Sequence, residues 1–255
     1  MRADIYLTEK GIAASRQKAK RLIEEGFVFA NGKAITKAST ELTDEIIEIK
    51  GEVMPYVSRG GLKLKGAIES FSLDVSGLVC LDVGASTGGF TDCLLQNGAN
   101  KVYAVDCGHN QLDKKLIHDN RVISIEGFNA REISPEIIPE KVDIAVMDVS
   151  FISQTLIHPA LVSVLKKGAL FVTLIKPQFE AGRSNIGKNG IVKNEKARKL
   201  SVERVVDSCA SLDMNLMGIC ESPIKGGDGN IEYTAVFVYM PKGEENEKNS
   251  FDPQN

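Results

Sequence analysis

The sequence predicts an α/β protein in which a mostly parallel, seven-stranded sheet follows a small α+β unit. Three observations carry this. Short β-rich runs recur with helical stretches between most of them, as in a parallel sheet buried on both faces. A glycine-rich turn follows the first of these runs. Residues 1–51 differ in texture, with one basic helix and two short strands around an Asn31-Gly32 turn.

In the larger unit, 58–240, a helix over 62–70 precedes β-rich runs at 79–83, 102–106, 122–125, 142–147 and 169–175. Helical stretches are expected over 89–96 and 193–211. Two last runs, 214–220 and 233–239, flank a short glycine-rich join at 226–230 and read as an antiparallel hairpin at the sheet edge. In the small unit Ser15 caps a helix with Ala19, Leu22 and Ile23 on one face, and Gly26 ends it. Strands are expected at 27–30 and 46–49. Residues 52–57 form a linker, where Pro55 biases Met54 toward an extended backbone. Residues 241–255 are polar and acidic and read as a disordered tail.

The 255 residues are 43% apolar and 25% charged, an ordinary globular composition. No apolar run reaches the roughly 18 to 20 residues that span a bilayer, and the N-terminus lacks the apolar core of a signal peptide. The expectation is therefore a cytoplasmic protein with no membrane partner. The 5 cysteines are irregularly spaced without a C-x-x-C pair, so they read as buried free thiols in a reducing compartment. The 3 histidines are scattered, and no metal is expected. A net charge of −3 argues against nucleic acid only until it is divided along the chain. Residues 10–37 hold 7 basic side chains against Glu24 and Glu25, while 38–50 hold 4 acidic ones against Lys50. Alone, such a basic face is no more than solvated surface.

The run Ala-Ala-Ser15-Arg16-Gln-Lys18-Ala-Lys20-Arg21-Leu-Ile-Glu-Glu-Gly26-Phe-Val-Phe-Ala-Asn31-Gly32-Lys33 resembles the S-four-like RNA-binding domain. The resemblance implies a grip on structured RNA through the basic side of the helix and the turn after it. Arg16, Lys18, Lys20, Arg21 and Lys33 are the candidate contacts, with Arg59 from the start of the larger unit.

In parallel α/β sheets the ligand sits beyond the carboxyl ends of the strands. The first strand runs into Asp82-Val-Gly84-Ala-Ser-Thr-Gly88-Gly89-Phe90, whose glycines permit a tight turn and close approach of a ligand. Asp106, ending the second strand, can accept both ribose hydroxyls of a nucleoside cofactor. The dinucleotide fingerprint G-x-G-x-x-G is absent, because Ser86 stands two positions after Gly84. Asp82 suits a cationic ligand better than a pyrophosphate. The pattern resembles the loop of Rossmann-like class I methyltransferases, which implies S-adenosyl-L-methionine as cofactor. Asp82, Gly84, Ser86, Gly88 and Asp106 carry over as contacts. So does Asn129, at the adenine position, where the relatives carry an acidic residue.

Four further residues fall at strand or helix ends: Lys63 in Val57-Ser-Arg-Gly-Gly-Leu-Lys63-Leu, Asp148 in Asp148-Val-Ser-Phe-Ile-Ser153, Lys176 in Lys176-Pro-Gln-Phe-Glu180, and Glu232 before the last strand. Each has a bland alternative: a surface lysine, a strand-edge charge, a structural ion pair. Together they resemble the Lys-Asp-Lys-Glu tetrad of FtsJ-type ribose 2′-O-methyltransferases. The local wording is similar to the TlyA family, which joins an S-four-like domain to an FtsJ-like one and methylates ribosomal RNA. Some members of that family were first described as haemolysins. The resemblance implies ribosomal RNA and ribosomal subunits as partners.

Such a reaction must deprotonate a ribose hydroxyl, while the methyl leaves a sulfonium and needs no metal. An ordinary lysine, of pKa about 10.4, is neutral only about one time in a thousand near pH 7.5. Lys176 therefore reads either as a base, oriented with the ribose by Asp148 and Glu232 beside Lys63, or as a charged stabiliser of the developing alkoxide. Residues 180–194, rich in glycine and basic side chains, read as a surface loop or an RNA-gripping flap. Two rivals are an inactive RNA-binding ribosome-assembly factor and a membrane-active haemolysin. The latter needs a spanning or strongly amphipathic segment, and none is found.

Overall fold

The computed structural model describes residues 1–13, 15–24, 26–50, 54–187, 190–226 and 229–242, without the side chains of Arg21 and Glu24. Lys188, within the expected flap, and the tail from 243 onward therefore lie outside the described residues, as does the Arg21 side chain. The chain divides into two units, Met1–Pro55 and the residues from Tyr56 onward.

The first unit comprises α1 (Ala3–Glu9), α2 (Arg16–Glu24), β1 (Val28–Ala30), β2 (Lys33–Ala34) and β3 (Ile47–Ile49), with an antiparallel sheet in the order β2-β1-β3. Ser15 Oγ accepts from the Lys18 N–H at 3.2 Å, a cap of the kind its position implied. Asn31 (φ 48°) and Gly32 (φ 77°) form the turn that pairs Ala30 with Lys33. The sequence reading missed α1 and β2. At seven residues α1 is too short to show a helical period, and it is held by burying Ala3 and Leu7 against Ala19, Ile23, Val28 and Leu42. Two-residue β2 shows no alternation at all.

The second unit runs α3 (Gly60–Ser70), β4 (Val79–Val83), α4 (Gly89–Gln96), β5 (Lys101–Val105), α5 (Lys114–Ile117), β6 (Val122–Ile125), β7 (Val142–Met147), α6 (His158–Leu161), β8 (Leu165–Ile175), α7 (Pro177–Glu180), α8 (Glu195–Ala210), β9 (Met214–Glu221) and β10 (Tyr233–Tyr239). Its seven strands lie in the order β6-β5-β4-β7-β8-β10-β9. The pairs from β6 to β8 are parallel, and β10 is antiparallel to both neighbours. Alternate strand residues feed two cores. Cys80, Val102, Ile144 and Val172 pack with Leu64 and Leu94 on one face; Leu81, Tyr103, Met147 and Phe171 pack with Leu161 and Val205 on the other.

One expectation is met and one needs correction. The last two strands form the expected antiparallel hairpin at the sheet edge, with β9 outermost and β10 between it and β8. Their join spans residues 222–232, longer than the expected glycine run. Cys107 is exposed, unlike buried Cys80, Cys93 and Cys209. Among the described residues no helix is long and apolar enough to cross a membrane.

Candidate active site

The sheet order delivers four charged side chains to one edge. Asp148 and Lys176 follow the parallel strands β7 and β8 directly. Tyr233 of antiparallel β10 pairs with Ile175, which brings Glu232 to the same edge although it precedes its strand. Lys63 comes from the first turns of α3. Its Nζ donates to Glu232 Oε2 at 2.6 Å, with side chains 11% and 2% exposed. Lys176 Nζ lies 2.5 Å from Asp148 Oδ1, with side chains 10% and 19% exposed. That oxygen has no hydrogen-bond donor, so the contact is an ion pair held off the hydrogen-bonding axis. Lys176 instead donates to Ser150 Oγ at 2.9 Å.

Gln178, at the start of α7, donates from Nε2 to Glu232 Oε1 at 3.2 Å. Gly226 lets its loop close over the same carboxylate, since a Cβ there would stand 2.4 Å from Glu232 Oε1. Gln178 and Ser150 were not singled out in the sequence, although both sit in the runs that carry Lys176 and Asp148. Phe151 was missed too. It is 93% exposed, its backbone is left-handed (φ 64°), and its ring lies 5.2 Å from that of Phe179. No sequence signal marks an apolar residue as exposed.

The glycine-rich turn abuts this cluster. Gly84 (φ 83°) approaches so closely that a Cβ would stand 2.6 Å from the Asp148 carbonyl oxygen. Gly88 adopts φ 92° at the start of α4, and Ser86 is exposed between them. Asp106 accepts from Ser86 N at 2.8 Å and from Gly108 N at 2.7 Å, so its carboxylate ties the turn after β4 to the turn after β5. Asp82 is fully buried: Thr91 Oγ1 donates to Oδ2 at 2.6 Å, and Oδ1 has no partner. Burial pushes the Asp82 carboxyl up to about 7. Asn129 follows Phe128, whose N–H donates to the Asp106 carbonyl at 3.0 Å. Its Oδ1 caps the 3-10 turn Ala130–Glu132 by accepting from Arg131 N, and its Nδ2 donates to Glu132, so both halves of the amide are engaged.

In the first unit Lys18, Lys20 and Lys33 are exposed, and so is Arg59 in the second. Arg16 is fixed by Asp4, which is 4% exposed and accepts from Arg2 and Arg16 at 3.0 Å each. The hydrogen bonds from Arg2 and then Arg16 hold the Asp4 carboxyl down at about 2.

The family model for FtsJ-like methyltransferases matches residues 56–239, which contain all four edge residues and the glycine-rich turn. The chain belongs to the FtsJ-like methyltransferase family. The model for the S4 domain matches residues 1–45, ahead of the FtsJ-like part. Among the relatives of this FtsJ-like protein is Hemolysin A of Brachyspira hyodysenteriae, 45% identical over 93% of this chain and 100% of its own. Another is the Mycobacterium tuberculosis protein named 16S/23S rRNA (cytidine-2′-O)-methyltransferase TlyA, 42% identical over 91% of this chain and 87% of its own. A solved structure from Streptococcus thermophilus, described only provisionally as a hemolysin, is 43% identical. It covers 95% of this chain and 89% of its own with a TM-score of 0.77.

Proposed function

We propose that this methyltransferase transfers the methyl group of S-adenosylmethionine to a ribose 2′-oxygen of ribosomal RNA. The observation that carries the reading is the placement of the Lys63–Glu232 and Lys176–Asp148 pairs beside the Gly84 turn at one sheet edge. The substrate class follows the activity for which the Mycobacterium tuberculosis relative is named.

The residues fit the cofactor. Asp82 Oδ1 is a buried carboxylate oxygen with no donor, which suits a cationic ligand. Each Asp106 oxygen has one backbone donor and keeps further lone-pair capacity for ribose hydroxyls. Gly84, Ser86 and Gly88 line the turn with little side-chain bulk. Asn129 Oδ1 is held by its cap and Nδ2 keeps one N–H beyond its bond to Glu132, so its cofactor role is the weakest of the set. When bound, the sulfonium supplies an activated methyl group.

The chain's own residues then align the ribose oxygen and stabilise its negative charge. Lys176 carries three N–H donors. One is committed to Ser150, and Asp148 anchors the ammonium as an ion pair, which leaves donor capacity for the 2′-oxygen. This arrangement favours the electrostatic role for Lys176 over that of a base, the 2′-hydroxyl proton leaving to water as the C–O bond forms and the methyl–sulfur bond breaks, with Lys63 adding positive potential from its fixed place on Glu232. Exposed Phe151 offers a stacking surface for an unpaired nucleobase beside Lys176. Lys18, Lys20, Arg16 and Lys33 serve as sequence-independent phosphate contacts.

The test is transfer of labelled methyl from S-adenosylmethionine to ribosomal subunits, followed by mapping of ribose methylation. Label at ribose 2′-oxygens is expected. Label only on bases, or none, would overturn the reading.

A further inference from the structure

The run Lys176-Pro-Gln-Phe-Glu180 ends in a carboxylate that the proposed chemistry leaves without a task. Glu180 closes α7 and is 2% exposed. A carboxylate taken out of water needs donors to meet it. Both of its oxygens find them in the segment that follows β7. Oε2 accepts from Ser153 Oγ at 2.5 Å, and Oε1 accepts from Gln154 N at 2.9 Å. Gln154, equally buried, carries the tie onward to β8. Its Nε2 donates to the Leu174 carbonyl at 3.3 Å, and its Oε1 accepts from Thr173 Oγ1.

This segment is the one that presents Asp148, Ser150 and Phe151. It meets α7 and the residue before it at three points: Asp148 and Ser150 at Lys176, the Phe151 ring at Phe179, and residues 153–154 at Glu180. Between the second and third points the backbone has passed through the left-handed conformation of Phe151, which a non-glycine residue adopts at a cost and keeps only when its surroundings enforce it. The first contact is largely buried and the second is solvent-facing at Phe151, while the third is buried and engages both carboxylate oxygens. We infer that Glu180 is a positioning residue that latches the turn 148–151 against Lys176. It thereby sets where the ammonium and the exposed ring meet the substrate nucleotide. The inference rests on the proposed methyl transfer for its consequence, while the latch itself can be read without it.

The chain contains no tryptophan, so Phe151→Trp supplies a single fluorescent reporter on the turn. In that background Glu180→Ala is expected to lower the tryptophan anisotropy and raise its quenching by acrylamide. Glu180→Gln is expected to restore both, because an amide can still accept from Gln154 N and bond to Ser153. With Phe151 intact, single-turnover methyl transfer at saturating RNA and cofactor should fall at least about tenfold in Glu180→Ala and recover in Glu180→Gln. Cofactor affinity should not change. If the alanine variant does not fold, Ser153→Ala removes one of the two bonds and is read in the same way, with a smaller change in the same direction. An unchanged tryptophan signal, or an unchanged rate per folded molecule, overturns the latch. Failure of the unsubstituted protein to transfer methyl would instead overturn the proposed function, and the tryptophan signal would still decide whether the latch exists.

Discussion

In the first unit Lys18 and Lys33 stand on the exposed faces of α2 and β2, whereas in the second Lys63 and Lys176 are about one-tenth exposed, each with a carboxylate within 2.6 Å. The difference is one of solvent. An exposed lysine is screened within about 10 Å at ordinary salt and attracts any phosphate. A lysine withdrawn from water acts more strongly on what lies next to it, but it is tolerated only where a partner meets it. The first unit can therefore scatter its charge over a surface, while the second must specify where each ammonium sits. Arg16 stands between the two, its guanidinium largely in solvent yet aimed by the buried Asp4 carboxylate.

The comparison breaks most visibly at Lys176. Lys176→Ala should reduce single-turnover methyl transfer by about 10³-fold, while the protein still binds RNA and cofactor. Near-normal transfer would remove Lys176 from the chemistry altogether.

Asp82 sharpens the contrast, because it is a fully buried carboxyl whose side-chain donor among the described residues is the neutral Thr91 hydroxyl. Its carboxyl is raised from an ordinary 3.8 to about 7 in the folded state, so ionising it costs stability progressively as pH rises through that interval. Asp82→Asn should thus be more stable than the parent above pH 7, by an amount on the order of 3–4 kcal/mol, with the gap closing toward pH 4. Urea denaturation at several pH values measures it. The same variant should bind S-adenosylmethionine more weakly, and the parent's affinity should rise with pH through 7, as calorimetric titration would show.

A buried base without charged partners should behave in the mirror sense. Among the described residues His158 meets neutral groups, Ser208, Gln154, Cys209 and the Phe171 ring, and burial lowers it from 6.5 to about 4. Its contribution is complete above pH 6.5 and is lost as pH falls toward 4. The expected loss is about 3 kcal/mol, and it should shrink in His158→Asn. Thermal melts between pH 7 and 4 test this.

The exposed lysines should give the smallest effect. Lys18→Ala combined with Lys33→Ala should weaken RNA binding less than the loss of Lys176 weakens catalysis. It should also flatten the dependence of log K on log salt by about 0.7 per lost contact. A salt slope equal to that of the parent would take these lysines out of the RNA interface.

Much of this was legible before any coordinates. The helix over 89–96 has the same bounds in the structure, and the strand ends that carry Asp148 and Lys176 follow from runs of β-rich residues that stop at a charge. Other features left no local trace. Glu180 is an acid beside a glycine-rich polar stretch, which looks like surface until Ser153 and Gln154 are seen to enclose it. Phe151 is apolar and would be assigned to a core. Asn129 is an amide that the chain uses to cap its own next turn, and a single residue type does not announce that choice.

The sequence by itself determined the alternation of strands and helices, the glycine-rich turn and the uneven charge of the first unit. These are properties of near neighbours, expressed through side-chain periods of 2 and 3.6 and through backbone freedom. Only the tertiary structure decided which carboxylate meets which lysine. Lys63 and Glu232 are 169 residues apart and meet because β10 runs antiparallel into the space beside β8. Strand order is a global outcome of burying two sheet faces at once, so no stretch of local sequence contains it.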